Sequence, residues 1–274
     1  WRNDTNASRV EAENADVELV VIVQHGEPTE KWNGDIWWAK QYWKSVYAAA
    51  TLQLGEAMSH KVLVVAPVLE STNYTAGEIS WDSDSAWSEG DESSSVHGER
   101  RLSSFAVYDE LVLQLARPEA HPALREIAII GHSSGGEFVH RYSLTGRAEA
   151  IISATSYAAR SRPSGPKMSY YPANPSSFTY LDGRRPELAR LKDVTCQSYC
   201  PKAWGEFAFV MPSAAKLEGC ASYDAWKWGL EGDLNSYANT TGRATMREWY
   251  GGRHVTYLSG ANDTCNLDLN DALG

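Results

Sequence analysis

The chain has 274 residues, of which 43% are hydrophobic, and it carries a formal net charge of −10 at pH 7. That length suits one α/β domain with a sizeable core, and the acidic charge argues against nucleic acid or an anionic membrane surface as a partner. No run of 18 apolar residues occurs, so the sequence predicts no membrane span.

The first part of the chain alternates apolar runs with amphipathic stretches. Strands are predicted at 17–23 and 61–68, because the runs VELVVIV and KVLVVAPV are nearly continuous in apolar residues, as in a parallel sheet buried on both faces. Between them, apolar residues at helical spacing predict a helix over 35–57. After a loop rich in Ser, Asp, Glu and Gly over 70–100, Ser103 or Ser104 can cap a second helix that stops near Pro118.

A third apolar strand, at 127–130, leads directly into Gly131-His132-Ser133-Ser134-Gly135, and a helix-compatible segment follows over 137–147. A G-x-S-x-G motif between a buried strand and a helix predicts a nucleophile elbow, whose glycines permit a sharp turn that presents the serine hydroxyl. The alternative is an ordinary loop rich in glycine and serine. His132, the variable position of the motif, is expected to point into the core or the helix packing.

The second half of the chain is less regular. A strand is predicted at 149–153, an irregular loop or cap insertion at 154–235, and a last strand at 254–260. Alternating strands and helices predict one domain over 1–274. We expect a doubly wound, mostly parallel α/β sheet with a cap, which binds its ligands at the carboxyl ends of the strands.

Catalysis by a serine needs a base, a carboxylate that orients the base, and hydrogen-bond donors for the oxyanion. The backbone N–H groups of Ser134 and Glu27 are the predicted donors, because Ser134 follows the nucleophile Ser133 and Glu27 follows the first strand. Asp263, just past the last strand, is the predicted acid, and Asp182 is a weaker rival.

The base is missing from the predicted order Ser…Asp…His, because no histidine follows Asp263. The chain is therefore expected to lack its C-terminal strand and helix together with the loop that bears the base, and to be inactive as given. His97, in the acidic loop, is an alternative base, whereas His254 begins a strand at the wrong end of the sheet. Solvent-exposed positions are expected for the other candidates, His60, His121 and His140.

The cysteines form an even set in the last third of the chain, namely Cys196, Cys200, Cys220 and Cys265. In an extracellular protein they predict two disulfides, and we expect the pairs Cys220–Cys265 and Cys196–Cys200. Free thiols are an alternative. A zinc site is disfavoured, because the second paired spacing of a four-cysteine site is absent.

Glycosylation sequons support the extracellular interpretation, because they are used only in the secretory pathway. The candidate acceptors are Asn3, Asn6, Asn73 and Asn239, while a fifth sequon, at Asn262 beside the predicted acid, is expected to stay unmodified. Together with the cysteines, they predict a secreted protein that has been trimmed at its N-terminus.

Longer motifs add to this interpretation: GHSSGGEFVHRY at 131–142, NPSSFTYLDGRRP at 174–186, YDAWKWGL at 223–230, RHVTYLSGANDTCN at 253–266, and AWSEG at 86–90. With them the chain resembles secreted, largely uncharacterised α/β-hydrolase-fold proteins of fungi and similar microbes. The resemblance implies Ser133 as nucleophile, Asp263 as acid and a base histidine beyond residue 274, but no particular substrate. Residues 154–172 depart from that family, and we expect a surface loop or a gene-model error there.

These observations predict a secreted serine hydrolase that cleaves an ester, less readily an amide, in a small-molecule or acyl-ester substrate. No cofactor and no metal is expected. The alternative is a non-catalytic hydrolase-fold protein that serves in binding or as an interaction partner, and the sequence gives no oligomeric state.

Overall fold

The computed structural model describes residues 14–26, 34–55, 60–69, 79–81, 84–94, 100–154, 165–188, 207–218 and 220–260. Seven strands lie in these ranges: β1 (Leu19–Gln24), β2 (Val62–Val65), β3 (Glu126–His132), β4 (Lys167–Ala173), β5 (Arg185–Leu188), β6 (Phe207–Val210) and β7 (His254–Val255). The helices are α1 (Gly34–Leu54), α2 (Asp84–Glu89), α3 (Ser104–Ala116), α4 (Ser134–Thr145), α5 (Ala148–Ala154), α6 (Ala214–Leu217), α7 (Ser236–Thr241) and α8 (Arg243–Gly252), after a short 3-10 turn at Asn14–Asp16.

A parallel sheet with the strand order β2-β1-β3-β4-β7 forms the centre of the described part of the chain. Across the sheet, β2 lies on one side of β1, and β4 lies on the opposite side of β3, so the connections β1–β2 and β3–β4 run toward opposite edges of the sheet. Because parallel crossovers are right-handed, α1 and α4 lie on opposite faces of the sheet. The predicted doubly wound α/β sheet is therefore confirmed, and its direction switches between β1 and β3, where such folds bind ligands.

The core between the sheet and the helices α3 and α4 is rich in aromatic side chains. The Phe138 ring centroid lies 5.1 Å from that of Phe105 and 4.5 Å from that of Tyr108, and all three residues are buried. The helix α3 begins where the sequence predicts, because the Ser103 hydroxyl accepts a hydrogen bond from the Phe105 N–H. These aromatic residues serve the core.

Two predictions for the middle of the chain are wrong. Residues 148–154 form the helix α5 rather than a strand, because the Asp109 carboxylate accepts the backbone N–H groups of Arg147 and Ala148 at 3.0 Å and so caps the helix. The predicted loop at 154–172 contains most of β4, a strand in the interior of the sheet with Met168 and Tyr170 buried. This part of the predicted insertion belongs to the main sheet.

The last predicted strand, at 254–260, is regular only at His254–Val255. Its backbone nevertheless stays paired with β4 further along, since the Thr256 N–H donates to the Tyr170 carbonyl and the Leu258 N–H to the Pro172 carbonyl, each at 2.9 Å. Among the described helices, none is both long enough and apolar enough to cross a membrane.

Candidate active site

Ser133 stands in the tight turn between β3 and α4, with φ 57° and ψ −125°. A positive φ at a residue other than glycine costs about 1–3 kcal/mol and is a mark of functional turns. The Ser133 N–H donates to the Ala173 carbonyl at 3.1 Å, and the Ser133 carbonyl accepts the Glu137 N–H at 2.9 Å. The residue is partly exposed, and its side chain makes no hydrogen bond within the described residues. This is the strand–turn–helix arrangement of a nucleophile elbow, and with the sheet it gives the chain an α/β-hydrolase fold.

The glycines of the motif are required by close backbone contacts around this turn. A Cβ atom at Gly131 would lie 2.2 Å from the Gly135 carbonyl oxygen, and one at Gly136 would lie 2.5 Å from the Ala173 oxygen. At Gly135 it would lie 2.5 Å from carbonyl oxygens at the end of β1. The start of α4 can therefore approach the ends of β1 and β4 only without side chains.

The end of β1 meets the elbow at Gly26. A Cβ atom there would lie 3.0 Å from the His132 carbonyl oxygen and 3.5 Å from the Ser133 Cβ. The preceding His25 is fully buried, and its Nε2 accepts the Leu69 N–H at 3.2 Å. The proton therefore resides on Nδ1, which donates to the Gly26 carbonyl at 2.8 Å. His25 thus holds the carbonyl of Gly26, the residue that lies directly beside Ser133.

His132 does not point into the core. It is exposed, and its Nδ1 lies 3.1 Å from the Tyr42 hydroxyl of α1. Tyr42 is half-buried, and this burial raises the pKa of its phenol. The Tyr42 oxygen also lies 3.8 Å from the Cβ position of Gly26, so the two side chains form one side of the site beside Ser133.

The end of β4 brings a second segment to the elbow. Asn174 follows Ala173 with φ 40°, donates its N–H to the Leu258 carbonyl at 2.9 Å, and accepts the Gly260 N–H on its side-chain oxygen at 2.9 Å. Ala173 itself accepts the Ser133 N–H. Residues 258–260, which lead toward the predicted acid, therefore lie next to the elbow.

None of the six histidines in the described ranges hydrogen-bonds to Ser133. His60 and His121 precede β2 and β3, and His254 is the first residue of β7, so all three lie toward the amino ends of the strands and away from the elbow. The predicted position of His254 is confirmed and His60 is exposed as expected, whereas His121 is buried, contrary to the prediction.

His140 was also expected to be exposed, but it is buried in the middle of α4. Its Nε2 accepts the Thr179 N–H at 2.8 Å, so its Nδ1 donates to the Tyr257 hydroxyl at 2.5 Å, which lies 2.7 Å from the Tyr250 hydroxyl. Burial, reinforced by the charge of Arg141, lowers the pKa of His140 from 6.5 to about 3. A neutral ring with both nitrogens engaged is a structural link between α4 and two loops and is poorly suited to serve as a base.

The rival acid Asp182 is held by its neighbour Arg184. Two guanidinium nitrogens and the Arg184 backbone N–H lie within 3.0 Å of the carboxylate oxygens, and this hydrogen bonding lowers the pKa of Asp182 to about 2. No bond joins this carboxylate to a described histidine. The structure thus gives Asp182 a local partner in its own loop.

Several predicted positions lie outside the described residues, and the predictions made for them stay predictions. They are the oxyanion donor Glu27, the acid Asp263, the alternative base His97, the cysteines Cys196, Cys200 and Cys265, and the sequons at Asn3, Asn6, Asn73 and Asn262. Within the described part, Ser134 begins α4 directly after Ser133, Cys220 is half-buried, and Asn239 is exposed on α7.

Sequence reasoning missed the contributions of Tyr42 and Asn174 to the site. Tyr42 looks like any polar position of an amphipathic helix, and nothing in its spacing marks it. Asn174 carried a local signal, because asparagine tolerates the left-handed conformation and stands before Pro175, a pattern typical of turns.

No protein-family model matches the chain, and no curated protein sequence matches it. A search of solved structures finds a likeness to the crystal structure of LpqC, a poly(3-hydroxybutyrate) depolymerase from Bordetella parapertussis. The two share 15% sequence identity with a TM-score of 0.38, over 90% of this chain and 76% of that one. A likeness of this size does not transfer the depolymerase's substrate to this chain.

Proposed function

We propose that this protein is a secreted serine hydrolase of the carboxylic ester hydrolase type, with Ser133 as nucleophile. The observation that carries the proposal is the conformation of Ser133, which stands at φ 57° between β3 and α4 at the switch point of the sheet. Ser133 is partly exposed there. A strained serine in that position is costly to keep for a loop without function.

In the proposed reaction, Ser133 Oγ attacks the carbonyl carbon of an ester while a histidine accepts its proton. The same histidine then protonates the leaving alkoxide, and water hydrolyses the acyl-enzyme. The N–H groups of Ser134 and Glu27 are proposed to bind the oxyanion. The position of Gly26 against Ser133 supports Glu27 as donor, because Glu27 is the next residue of the chain.

Asp263 is proposed to orient the histidine. The bonds of Asn174 support this role, because they hold Gly260 beside the elbow and three residues of chain span at most about 11 Å. The six described histidines have other partners or other positions. His97, outside the described residues, stays the alternative base. From the order Ser…Asp…His we propose a base that follows Asp263 in a longer form of the protein, and inactivity of residues 1–274 alone.

The order of the longer motifs supports membership of the secreted, fungal-type family, which is also a proposal. We also propose that the protein is secreted, that it forms the two predicted disulfides, and that it is glycosylated at the exposed Asn239. A small acyl ester is the proposed class of substrate, and an amide is the second choice. No role for a cofactor, a metal or nucleic acid is proposed.

The test is covalent labelling by a fluorophosphonate probe, with hydrolysis of p-nitrophenyl esters, in a form that extends beyond residue 274. Ser133→Ala is expected to abolish labelling and to reduce hydrolysis about a millionfold, since the nucleophile itself is removed. The melting temperature should stay within a few degrees, because the hydroxyl has no hydrogen-bond partner in the described part of the chain. Ser222→Ala, at an exposed serine outside the elbow, is the matched control and should label normally.

Labelling that persists in Ser133→Ala at another serine would refute the assignment. An extended form that neither labels nor hydrolyses esters would instead favour the alternative, a non-catalytic hydrolase-fold protein used for binding.

A further inference from the structure

Asn174 combines a left-handed backbone conformation with two hydrogen bonds to the segment 258–260. Its backbone adopts φ 40°, in the left-handed region that few residues tolerate, and its side-chain oxygen accepts the Gly260 N–H at 2.9 Å. Its own N–H donates to the Leu258 carbonyl at 2.9 Å. One residue therefore ties the end of β4 to both Leu258 and Gly260.

The preceding residue ties the same strand end to the nucleophile. The Ala173 carbonyl accepts the Ser133 N–H at 3.1 Å, and Ala173 also forms a bridge with Leu258. Ser133 and the segment 258–260 are thus linked through two consecutive residues of β4 and its end, and a shift of that end would move both.

We infer that Asn174 is a positioning residue, which sets the place of the 258–260 segment, and with it the start of the predicted acid loop, relative to Ser133. This inference rests on the proposed function, because it gives Asn174 a part in the hydrolase reaction. It concerns geometry only, since no contact of Asn174 with substrate is required.

The chemistry of the position explains why asparagine stands there. Glycine would accept φ 40° but would leave the Gly260 N–H without its acceptor, whereas alanine would lose the acceptor and be strained as well. Aspartate keeps an acceptor of the same reach and also tolerates the left-handed region. The three replacements therefore separate backbone strain from the loss of the side-chain bond.

The experiment uses the extended form and its Asn174→Gly, Asn174→Ala and Asn174→Asp variants. Asn174→Gly is expected to lower kcat and the fluorophosphonate labelling rate by about 10- to 100-fold with KM within about twofold, because a displaced catalytic group costs that much. Asn174→Asp should recover most of the loss, and Asn174→Ala should combine the loss of kcat with a lower melting temperature. Hydrogen–deuterium exchange should rise in the peptide that covers 258–263.

Asn235 provides the matched control. Its side-chain oxygen likewise accepts a backbone N–H, that of Ala238 at 2.9 Å, as the cap of α7. Asn235→Gly is expected to lower stability while kcat stays unchanged. If the role of Asn174 were purely structural, Asn174→Gly would likewise lower stability and leave kcat unchanged.

The outcomes separate the two proposals. An active parent whose Asn174→Gly variant keeps its kcat and its exchange at 258–263, or is not rescued by aspartate, overturns the positioning role and leaves the proposed function intact. An inactive parent overturns the proposed function, and with it the positioning role of Asn174 in that reaction.

Discussion

Acid should destabilise this protein through His140, a residue with no part in the proposed chemistry. In the folded chain its pKa is about 3, because the ring is buried and the neighbouring charge of Arg141 further disfavours the protonated ring. In the unfolded chain the pKa returns to about 6.5. When the pH lies between these two values, His140 is therefore protonated in the unfolded state and neutral in the folded state.

The size of the effect follows from linkage between protonation and folding. Stability from this residue is complete above pH 6.5 and is lost as the pH falls from 6.5 toward 3, by about 1.4 kcal/mol per pH unit. Between pH 7.5 and pH 5.5 the loss amounts to about 1.4 kcal/mol, which is a large share of the 5–15 kcal/mol typical of a domain.

The assay is urea unfolding at pH 7.5, 6.5 and 5.5, followed by the fluorescence of the eleven tryptophans. His140→Gln can still accept the Thr179 N–H but does not titrate. This variant should be less stable at pH 7.5, because it loses the bond to Tyr257, yet its stability should fall less between pH 7.5 and 5.5. The same replacement at the exposed His60 is the control and should leave the pH slope as in the parent. Equal slopes in the parent and His140→Gln would refute the reasoning.

Two further predictions concern backbone features and can be checked by the same unfolding assay. Gly135→Ala should cost about 1–3 kcal/mol and slow any labelling of Ser133, because its Cβ would lie 2.5 Å from carbonyl oxygens of β1. Gly251→Ala, in open space on α8, should be neutral or stabilising by up to about 1 kcal/mol, and equal effects at both sites would contradict the steric argument. Ser103→Ala should cost about 1–2 kcal/mol by removing the cap of α3, whereas Ser213→Ala, at a cap position whose side chain makes no capping bond, should cost much less. Similar losses for the two serines would show that the side-chain bond is not what stabilises α3.

The sequence could predict the features that depend on local patterns. The apolar runs of β1 and β3 identify buried parallel strands, because only such strands are apolar on both faces. The G-x-S-x-G motif between a strand and a helix predicts the turn at Ser133, since glycine alone permits its backbone contacts. Ser103 before an amphipathic run predicts the start of α3. In each case the physical cause lies within a few residues of the feature.

The tertiary structure decided what depends on residues distant in the chain. The β4 segment, KMSYYPA, contains lysine, serine and proline and has no strand pattern, yet it pairs with β3 along its whole length. The helix α5 replaces a predicted strand because Asp109, 39 residues before Ala148, caps its first N–H groups. His140 is buried and neutral because Thr179 and Tyr257 supply its partners, and Asn174 meets Gly260 across 86 residues. Hydrogen bonds of this kind join residues that come together only when the chain has folded, so no local pattern in the sequence predicts them.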